Sequence, residues 1–187
     1  MGGGAPRLVS PGVGLRTSFL AALAEYQAEG RHLDLDSAAL ADPEELARYV
    51  AALRAEVETP GEAARYVAAL RGAAPEAWPD GYVPQSTFWW AAGDEYIGRL
   101  AIRHRLTPHL LLEGGHVGYE VRPSARRRGH ATAMLAAALP LAAGLGIDLV
   151  RLDCEADNVA SRRVIEKNGG RLVCEERGSR YYLVPTR

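Results

Sequence analysis

Residues 118–135, GYEVRPSARRRGHATAML, decide the fold of this chain. A predicted strand ends at Arg122-Pro123, because proline has no N–H to continue a strand ladder. Three arginines and Gly129 follow, and an apolar run at helical spacing begins near His130. Where a strand leads through a short loop into a helix, unpaired N–H groups and the positive end of the helix dipole point at the loop. The stretch therefore predicts an anion-binding site at the helix N-terminus.

Length and composition limit the class of protein. The chain has 187 residues, 48% of them hydrophobic, and a net charge of −1, which is typical of one globular domain. The near-neutral charge argues against a nucleic-acid or membrane-surface partner, and no apolar run approaches the ~18 residues of a membrane span. Two isolated cysteines, Cys154 and Cys174, indicate free thiols, no metal site and a cytoplasmic protein.

The N-terminal region, 1–80, is predicted to hold a short strand at 7–9 and several helices. Apolar residues recur at helical spacing from Phe19 to Tyr26, and Asp42-Pro43-Glu44-Glu45 is a good helix start. The octapeptide ARYVAALR occurs twice, at 47–54 and 64–71. Two copies of so short a unit cannot form a solenoid, so a local duplication that produced two alanine-rich helices is expected.

The remaining region, 80–187, alternates strands and helices. Hydrophobic periodicity predicts strands at 87–91, 95–104, 115–121 and 147–154, helices at 130–143 and 158–168, and a closing hairpin at 171–176 and 180–184, with a loop through Thr107-Pro108. The segment 115–154 is then a parallel β-α-β crossover, which is expected to be right-handed. The whole chain is predicted to be a single α/β (α+β) domain, 1–187.

Two motifs in this region resemble the GNAT superfamily of acetyl-CoA-dependent N-acetyltransferases. The family signature, R/Q-x-x-G-x-G/A after a strand that ends V-x-P, stands here as Val121-Arg122-Pro123 and Arg126-x-x-Gly129-x-Ala131. The second motif, an Asn that opens the helix after the next long strand, matches Asn158. The resemblance covers about 80–187 and implies a mixed, mostly antiparallel sheet that splays at one parallel pair and is flanked by helices. Residues 1–80 would then be the variable acceptor side.

The resemblance implies acetyl-CoA as cosubstrate. Its pyrophosphate would bind the arginine loop, where Gly129 permits close approach because a Cβ would push the phosphate away. An N–H near Val121 would polarise the thioester carbonyl, and Asn158 and Ser161 would line the far side of the pantetheine unless they only cap their helix. The predicted cofactor-binding residues are Tyr119, Glu120, Val121, Arg126, Arg127, Arg128, Gly129, His130, Ala131, Thr132, Asn158 and Ser161.

The family's usual acid is absent. Many members carry N-x-x-A-x-x-L-Y, in which the tyrosine protonates the departing thiolate. Here the pattern reads Asn158-x-x-Ser161-x-x-Val164-Ile165, and isoleucine cannot donate a proton. Ser161, water or no acid at all must serve.

The identity of the general base is also left undecided by the sequence. A lysine-type amine is neutral about once in 2,500 molecules at pH 7, a penalty of ~4.6 kcal/mol, so a proton acceptor is expected. Glu120 and Asp153 are the candidate catalytic residues, with His116 and water as further options. Each of the three side chains has an equally simple structural interpretation, as an ion-pair partner, a solvated charge or a satisfied core group.

The sequence therefore predicts an N-acetyltransferase in which a primary amine attacks the thioester directly. The acceptor, a small molecule or a peptide or protein amine, is left open, as is a homodimer. Tyr82 and Gln85 are weak candidates for the acceptor pocket, together with the Trp89-Trp90 strand and the 105–112 loop. The alternative is a non-catalytic acyl-CoA-binding regulatory module, which the missing tyrosine keeps in consideration.

Overall fold

The computed structural model describes residues 4–55 and 83–187. Its strands are β1 (Arg7–Val9), β2 (Gln85–Ala92), β3 (Glu95–Arg103), β4 (Val117–Val121), β5 (Leu149–Glu155), β6 (Arg171–Glu176) and β7 (Ser179–Pro185). Its helices are α1 (Arg16–Ala28), α2 (Pro43–Ala55), α3 (Pro108–Leu112), α4 (His130–Gly144) and α5 (Val159–Lys167). Tyr82 and the second octapeptide copy at 64–71 lie outside the described residues. Within those residues, no helix is long and apolar enough to cross a bilayer.

The strands form two antiparallel sheets. The first has the order β1-β2-β3-β4, and the second has the order β5-β7-β6. β4 and β5 are therefore edge strands of different sheets, although one crossover helix, α4, connects them. This is the predicted splayed arrangement, and it leaves a gap between β4 and β5.

β4 and β5 touch where the gap closes. The His116 N–H donates to the Arg151 carbonyl at 2.7 Å, and the Arg151 N–H donates to His116 Nδ1 at 2.9 Å. Gly115 permits this approach, because a Cβ there would lie 2.4 Å from the Arg151 carbonyl oxygen. Further along, no ladder joins the two strands in the described part of the chain. The Tyr119 hydroxyl reaches Ser161 in α5, which follows β5, so both strands run toward the open end of the gap.

Hydrophobic cores lie on both faces of the first sheet. Trp90 packs in the core beneath α4, while Trp89 packs in the core formed with α1 and α2. The Phe19 ring of α1 stacks on Trp89, with ring centroids 4.9 Å apart. The two tryptophans are only 4% and 1% exposed, so they anchor the helices on the two faces. α1 is thereby held on the face opposite α4.

Local signals predicted most element boundaries to within two residues. Asp42 caps α2 as expected, since its Oδ1 accepts the N–H groups of Glu44 at 2.8 Å and Glu45 at 3.1 Å. The prediction of a loop through Thr107-Pro108 was wrong, because α3 forms there with Thr107 as its N-cap. Thr-Pro is a helix-start signal, but the five-residue helix is too short to show a period.

Candidate active site

The backbone of β4 presents alternate N–H groups to the gap. The β3–β4 register pairs Arg99 with Glu120. On either side of this pair, the backbones of His116 and Arg122 form hydrogen bonds to the β3 side. In an antiparallel ladder, alternate residues of an edge strand turn their N–H and C=O groups away from the partner. Tyr119 and Val121 are those residues here. Their N–H groups face the gap, as the interpretation of β4 as a pantetheine-binding strand requires.

The loop after β4 is shaped for an anion. Arg127 and Gly129 both adopt left-handed backbone angles, with φ of 65° and 84°. Successive N–H groups in such a turn converge on a concavity that suits a phosphate. At the start of α4, the N–H groups of His130, Ala131 and Thr132 have no acceptor within the helix. A Cβ added to Gly129 would meet no protein atom within 4 Å, so the space in front of the loop is open for a ligand.

The arginines around the loop divide into committed and free side chains. Arg126 forms a bidentate ion pair with Glu29, at 2.9 and 2.7 Å, and its Nε donates to the Val121 carbonyl at 3.2 Å. Arg127 and Arg128 are exposed and form no ion pair within the described ranges. Two of the three predicted phosphate-binding side chains are therefore available, while Arg126 ties the loop to α1.

A second link joins α1 to the end of β4. The Glu25 carboxylate accepts from Arg122 Nε at 3.0 Å and from the N–H and hydroxyl of Ser124, both at 2.9 Å. Burial raises the pKa of Glu25, but these hydrogen bonds outweigh it and lower the pKa to about 2. α1 is thus clamped to the loop that is predicted to hold acetyl-CoA.

The opposite wall of the gap is built by α5. Asn158 Oδ1 accepts the Ser161 N–H at 3.0 Å, so Asn158 is the N-cap of this helix. The Tyr119 hydroxyl donates to Ser161 Oγ at 3.4 Å across the gap. Burial raises the pKa of Tyr119 to about 12, although the Ser161 hydrogen bond acts in the opposite sense. Ile165 is 1% exposed and belongs to the core, so the position of the usual acid is filled by packing.

Glu120 is the most strongly held carboxylate near the open end. Its side chain is 8% exposed, forms ion pairs with Arg31 at 2.8 Å and Arg99 at 2.9 Å, and is hydrogen-bonded to His32 Nε2 at 2.9 Å. Burial raises its pKa, but the His32 hydrogen bond and the positive charges around it prevail, so the pKa lies below its usual value. Glu120 is therefore ionised, and its oxygens are engaged by two arginines and one imidazole.

Asp153 and His116 lie at the closed end of the gap. Asp153 Oδ1 accepts the Gly114 N–H at 2.8 Å, and burial raises the pKa of this carboxyl despite that bond. His116 Nδ1 accepts the Arg151 N–H, so a neutral ring carries its proton on Nε2. Burial and the charges of Arg103 and Arg151 lower the pKa of His116. The His116 ring therefore closes the joint between the sheets and has no free lone pair for a substrate.

Gln85, one of the two weak acceptor-pocket candidates, is not brought to this site. Gln85 pairs with Arg103, at the end of β3 away from Val121, and Tyr82 lies outside the described residues. Sequence reasoning missed three side chains that surround Glu120, namely Arg31, His32 and Arg99. The only available signal was the Gly30-Arg31-His32 turn after α1, because His32 and Glu120 are 88 residues apart.

Known proteins share this domain and this fold. A model of the GNAT acetyltransferase domain matches residues 28–171. The chain superposes on RimL, a ribosomal L7/L12 α-N-protein acetyltransferase, with 17% identity, a TM-score of 0.56, and coverage of 95% of this chain and 88% of that chain.

Two further solved structures show the same fold. The microcin C7 self-immunity acetyltransferase MccE, solved with acetyl-CoA and AMP, has 10% identity and a TM-score of 0.59, covering 95% of this chain and 91% of that chain. RimJ from Mycobacterium smegmatis, solved with CoA-disulfide, has 19% identity and a TM-score of 0.57, covering 98% and 86%. No curated protein sequence matches the chain significantly.

Proposed function

This chain belongs to the GNAT family of acetyltransferases, and from that premise we propose that it acetylates an α-amino group, such as a peptide or protein N-terminus, with acetyl-CoA as donor. The observation that carries the proposal is the gap between β4 and β5, with an anion-binding loop at its open end. The class of acceptor follows from the charges in front of the gap.

The chain's own groups fit coenzyme A. The converging N–H groups of 127–132, with the side chains of Arg127 and Arg128, suit the pyrophosphate, whose charge-assisted hydrogen bonds are each worth about 1.5–3 kcal/mol. The N–H groups of Tyr119 and Val121 suit the pantetheine arm and the thioester oxygen, with α5 as the opposite wall. Bound acetyl-CoA would supply an activated acetyl group, and an oxyanion donor on β4 contributes about 2.7–4 kcal/mol to such a reaction.

The acceptor argument rests on the proton that must leave the amine. At pH 7 a lysine-type ammonium costs ~4.6 kcal/mol to deprotonate, whereas an α-ammonium with a pKa of ~7.8 costs about 1 kcal/mol. Glu120 is committed to Arg31, His32 and Arg99, and its lowered pKa makes it a weak base. A site of this kind favours an acceptor that is already partly neutral. RimL, which has the same fold, carries an α-N-protein acetyltransferase name.

The two candidate carboxylates, Glu120 and Asp153, differ in charge and in place. Asp153 has a raised pKa and sits at the closed end, while Glu120 is ionised at the open end. For the leaving sulfur, we propose the Tyr119 hydroxyl, next to Ser161, as a hydrogen-bond donor. A pKa of about 12 keeps that hydroxyl protonated, so Tyr119 stabilises the departing thiolate without giving up its proton completely.

The test compares matched peptides. One peptide has a free N-terminus and no lysine, and the other has a blocked N-terminus and one lysine. Mass spectrometry with acetyl-CoA should show acetylation of the first at least 100-fold faster than the second. Equal rates on both peptides, or acetylation of small-molecule amines alone, would overturn the acceptor proposal. Stabilisation by acetyl-CoA with no transfer to any amine would favour the non-catalytic module.

We further propose that residues 1–187 act as one acetyltransferase unit, with 1–80 on the acceptor side. The unpaired thiols Cys154 and Cys174 suit the reducing cytoplasm, where we expect the reaction to occur. A homodimer stays a prediction, and sedimentation equilibrium at micromolar concentration tests it directly.

A further inference from the structure

Glu120 has a partner that no sequence motif contains. His32, in the loop after α1, places its Nε2 2.9 Å from both carboxylate oxygens of Glu120. The His32 side chain is 17% exposed and that of Glu120 is 8% exposed. The imidazole therefore stands between the buried carboxylate and the solvent on the acceptor side of the sheet.

The His32 ring is held in place by several contacts. Its backbone adopts a left-handed φ of 51°, a conformation that residues other than glycine rarely take. Its carbonyl accepts from Gln27 Nε2 at 3.2 Å and from the Leu35 N–H at 3.1 Å. The ring packs edge-on against Tyr26, with centroids 5.2 Å apart. The loop is thus built to present this side chain to Glu120.

The contact with Glu120 sets the tautomer of the ring. Glu120 is ionised among its cations, so its oxygens can only accept, and Nε2 must carry the proton of the hydrogen bond. A neutral imidazole then keeps its lone pair on Nδ1, on the other side of the ring. Nδ1 makes no hydrogen bond to any residue of 4–55 or 83–187. A carboxylate that orients a histidine in this way leaves the second nitrogen free to take a proton.

We propose that His32 Nδ1 is the proton acceptor for the incoming amine, directly or through one water, and that Glu120 is the positioning residue that holds the ring. The amine nitrogen forms the C–N bond, and the C–S bond breaks with its electron pair on sulfur. The proton lost by the amine passes to Nδ1 and then to solvent, while the thiolate takes a proton from water. The assignment rests on acetyl transfer and not on the class of acceptor.

The charged and titratable groups that face the ring come from four elements. They are Glu120 of β4, Arg99 of β3, Tyr26 of α1 and Arg31 of the same loop. Burial raises the pKa of Tyr26, and arginine stays charged, so neither changes charge near neutral pH. The imidazole is therefore the group of this cluster that can accept a proton from the amine.

The kinetic test uses His32→Gln, with Arg31→Gln as the matched control. A glutamine amide can still donate to Glu120 but cannot accept a proton from an amine. Arg31 contacts the same carboxylate from the same loop and offers no base. With the best amine acceptor of the wild type, His32→Gln should lose about 10²–10³-fold in kcat and keep its KM for acetyl-CoA. Arg31→Gln should lose at least tenfold less in kcat than His32→Gln.

Two further measurements separate catalysis from folding. His32→Gly suits the left-handed backbone and leaves a space, so added imidazole should restore activity at least tenfold. Nitrogen-detected NMR of the wild type, which needs no acceptor, should show the ring as the Nε2–H tautomer, and Glu120→Gln should alter that signal. An unchanged kcat in His32→Gln, no imidazole rescue, or an Nδ1–H tautomer would overturn the assignment. Failure of the α-amine proposal would instead appear as wild-type preference for other amines.

Discussion

Replacing Gly129 by alanine separates the cost to folding from the cost to acetyl-CoA binding. Gly129 has a φ of 84°, and a Cβ there would meet no protein atom within 4 Å. The folding cost therefore comes from the backbone alone, about 1–2 kcal/mol for a left-handed residue with a Cβ. For a chain of this length, each kcal/mol lowers Tm by about 2–4 °C. We expect Gly129→Ala to unfold about 2–8 °C below the wild type.

The binding cost should be larger. The new methyl group occupies the space in which the loop N–H groups meet the pyrophosphate, so at least one charge-assisted hydrogen bond of about 1.5–3 kcal/mol is lost. This corresponds to an increase in Kd for acetyl-CoA of about 10–150-fold. Isothermal titration calorimetry measures the Kd, and differential scanning calorimetry measures the Tm without ligand.

Gly146 supplies the matched control. It has a φ of 79°, and a Cβ added there would likewise meet no protein atom within 4 Å. Gly146 follows the C-terminus of α4, however, about 22 Å from the loop at 1.5 Å per residue. Gly146→Ala should lower Tm by a similar amount and leave the Kd unchanged. If the two variants bind acetyl-CoA equally well, the assignment of the 126–132 loop to the pyrophosphate is wrong.

Two other predictions concern single side chains. Glu25 has a pKa of about 2 against an ordinary 4.5, so its ionised form contributes stability above about pH 4.5 that is lost as the pH falls toward 2. One pH unit corresponds to about 1.36 kcal/mol. Between pH 5 and pH 2, the free energy of unfolding measured in urea should therefore fall by up to about 3 kcal/mol more for the wild type than for Glu25→Gln. Parallel pH dependences of the two proteins would contradict the clamp. Tyr119→Phe should lower kcat about tenfold with little change in KM if its hydroxyl stabilises the leaving sulfur. Tyr181→Phe is the control and should keep its kcat, because it removes a hydroxyl that is bound to the Leu112 carbonyl at 2.9 Å.

The turn at Gly129 and the order of the elements could be predicted because their signals are local. Pro123 ends a strand, Gly129 accepts a left-handed φ, and Asn158 caps the next helix, and each of these needs only neighbouring residues. The short helix α3 was not predicted, because five residues are too few to show a helical period. The splay of β4 from β5 was expected from family resemblance, while the close approach at Gly115 that closes one end depends on the packing of two sheets.

The state of each charged side chain could not be predicted in this way. The sequence presents Arg126, Arg127 and Arg128 as three equal phosphate ligands, yet Arg126 is paired with Glu29, the residue that follows α1. Glu120 was predicted as a base from its place on β4, while its pKa depends on Arg31, His32 and Arg99. Ion pairs act over a few ångströms in space, and a contact between residues 88 apart leaves no period or spacing in the chain.

The sequence by itself therefore determined the strand, loop and helix that suit acetyl-CoA, because backbone angles and helix ends are set by neighbouring residues. Only the tertiary structure decided which cations remain free, which carboxylate is neutralised, and that His32 lies against Glu120. Those properties arise when α1 is clamped over the first sheet, since burial and charge at a site depend on every element packed against it.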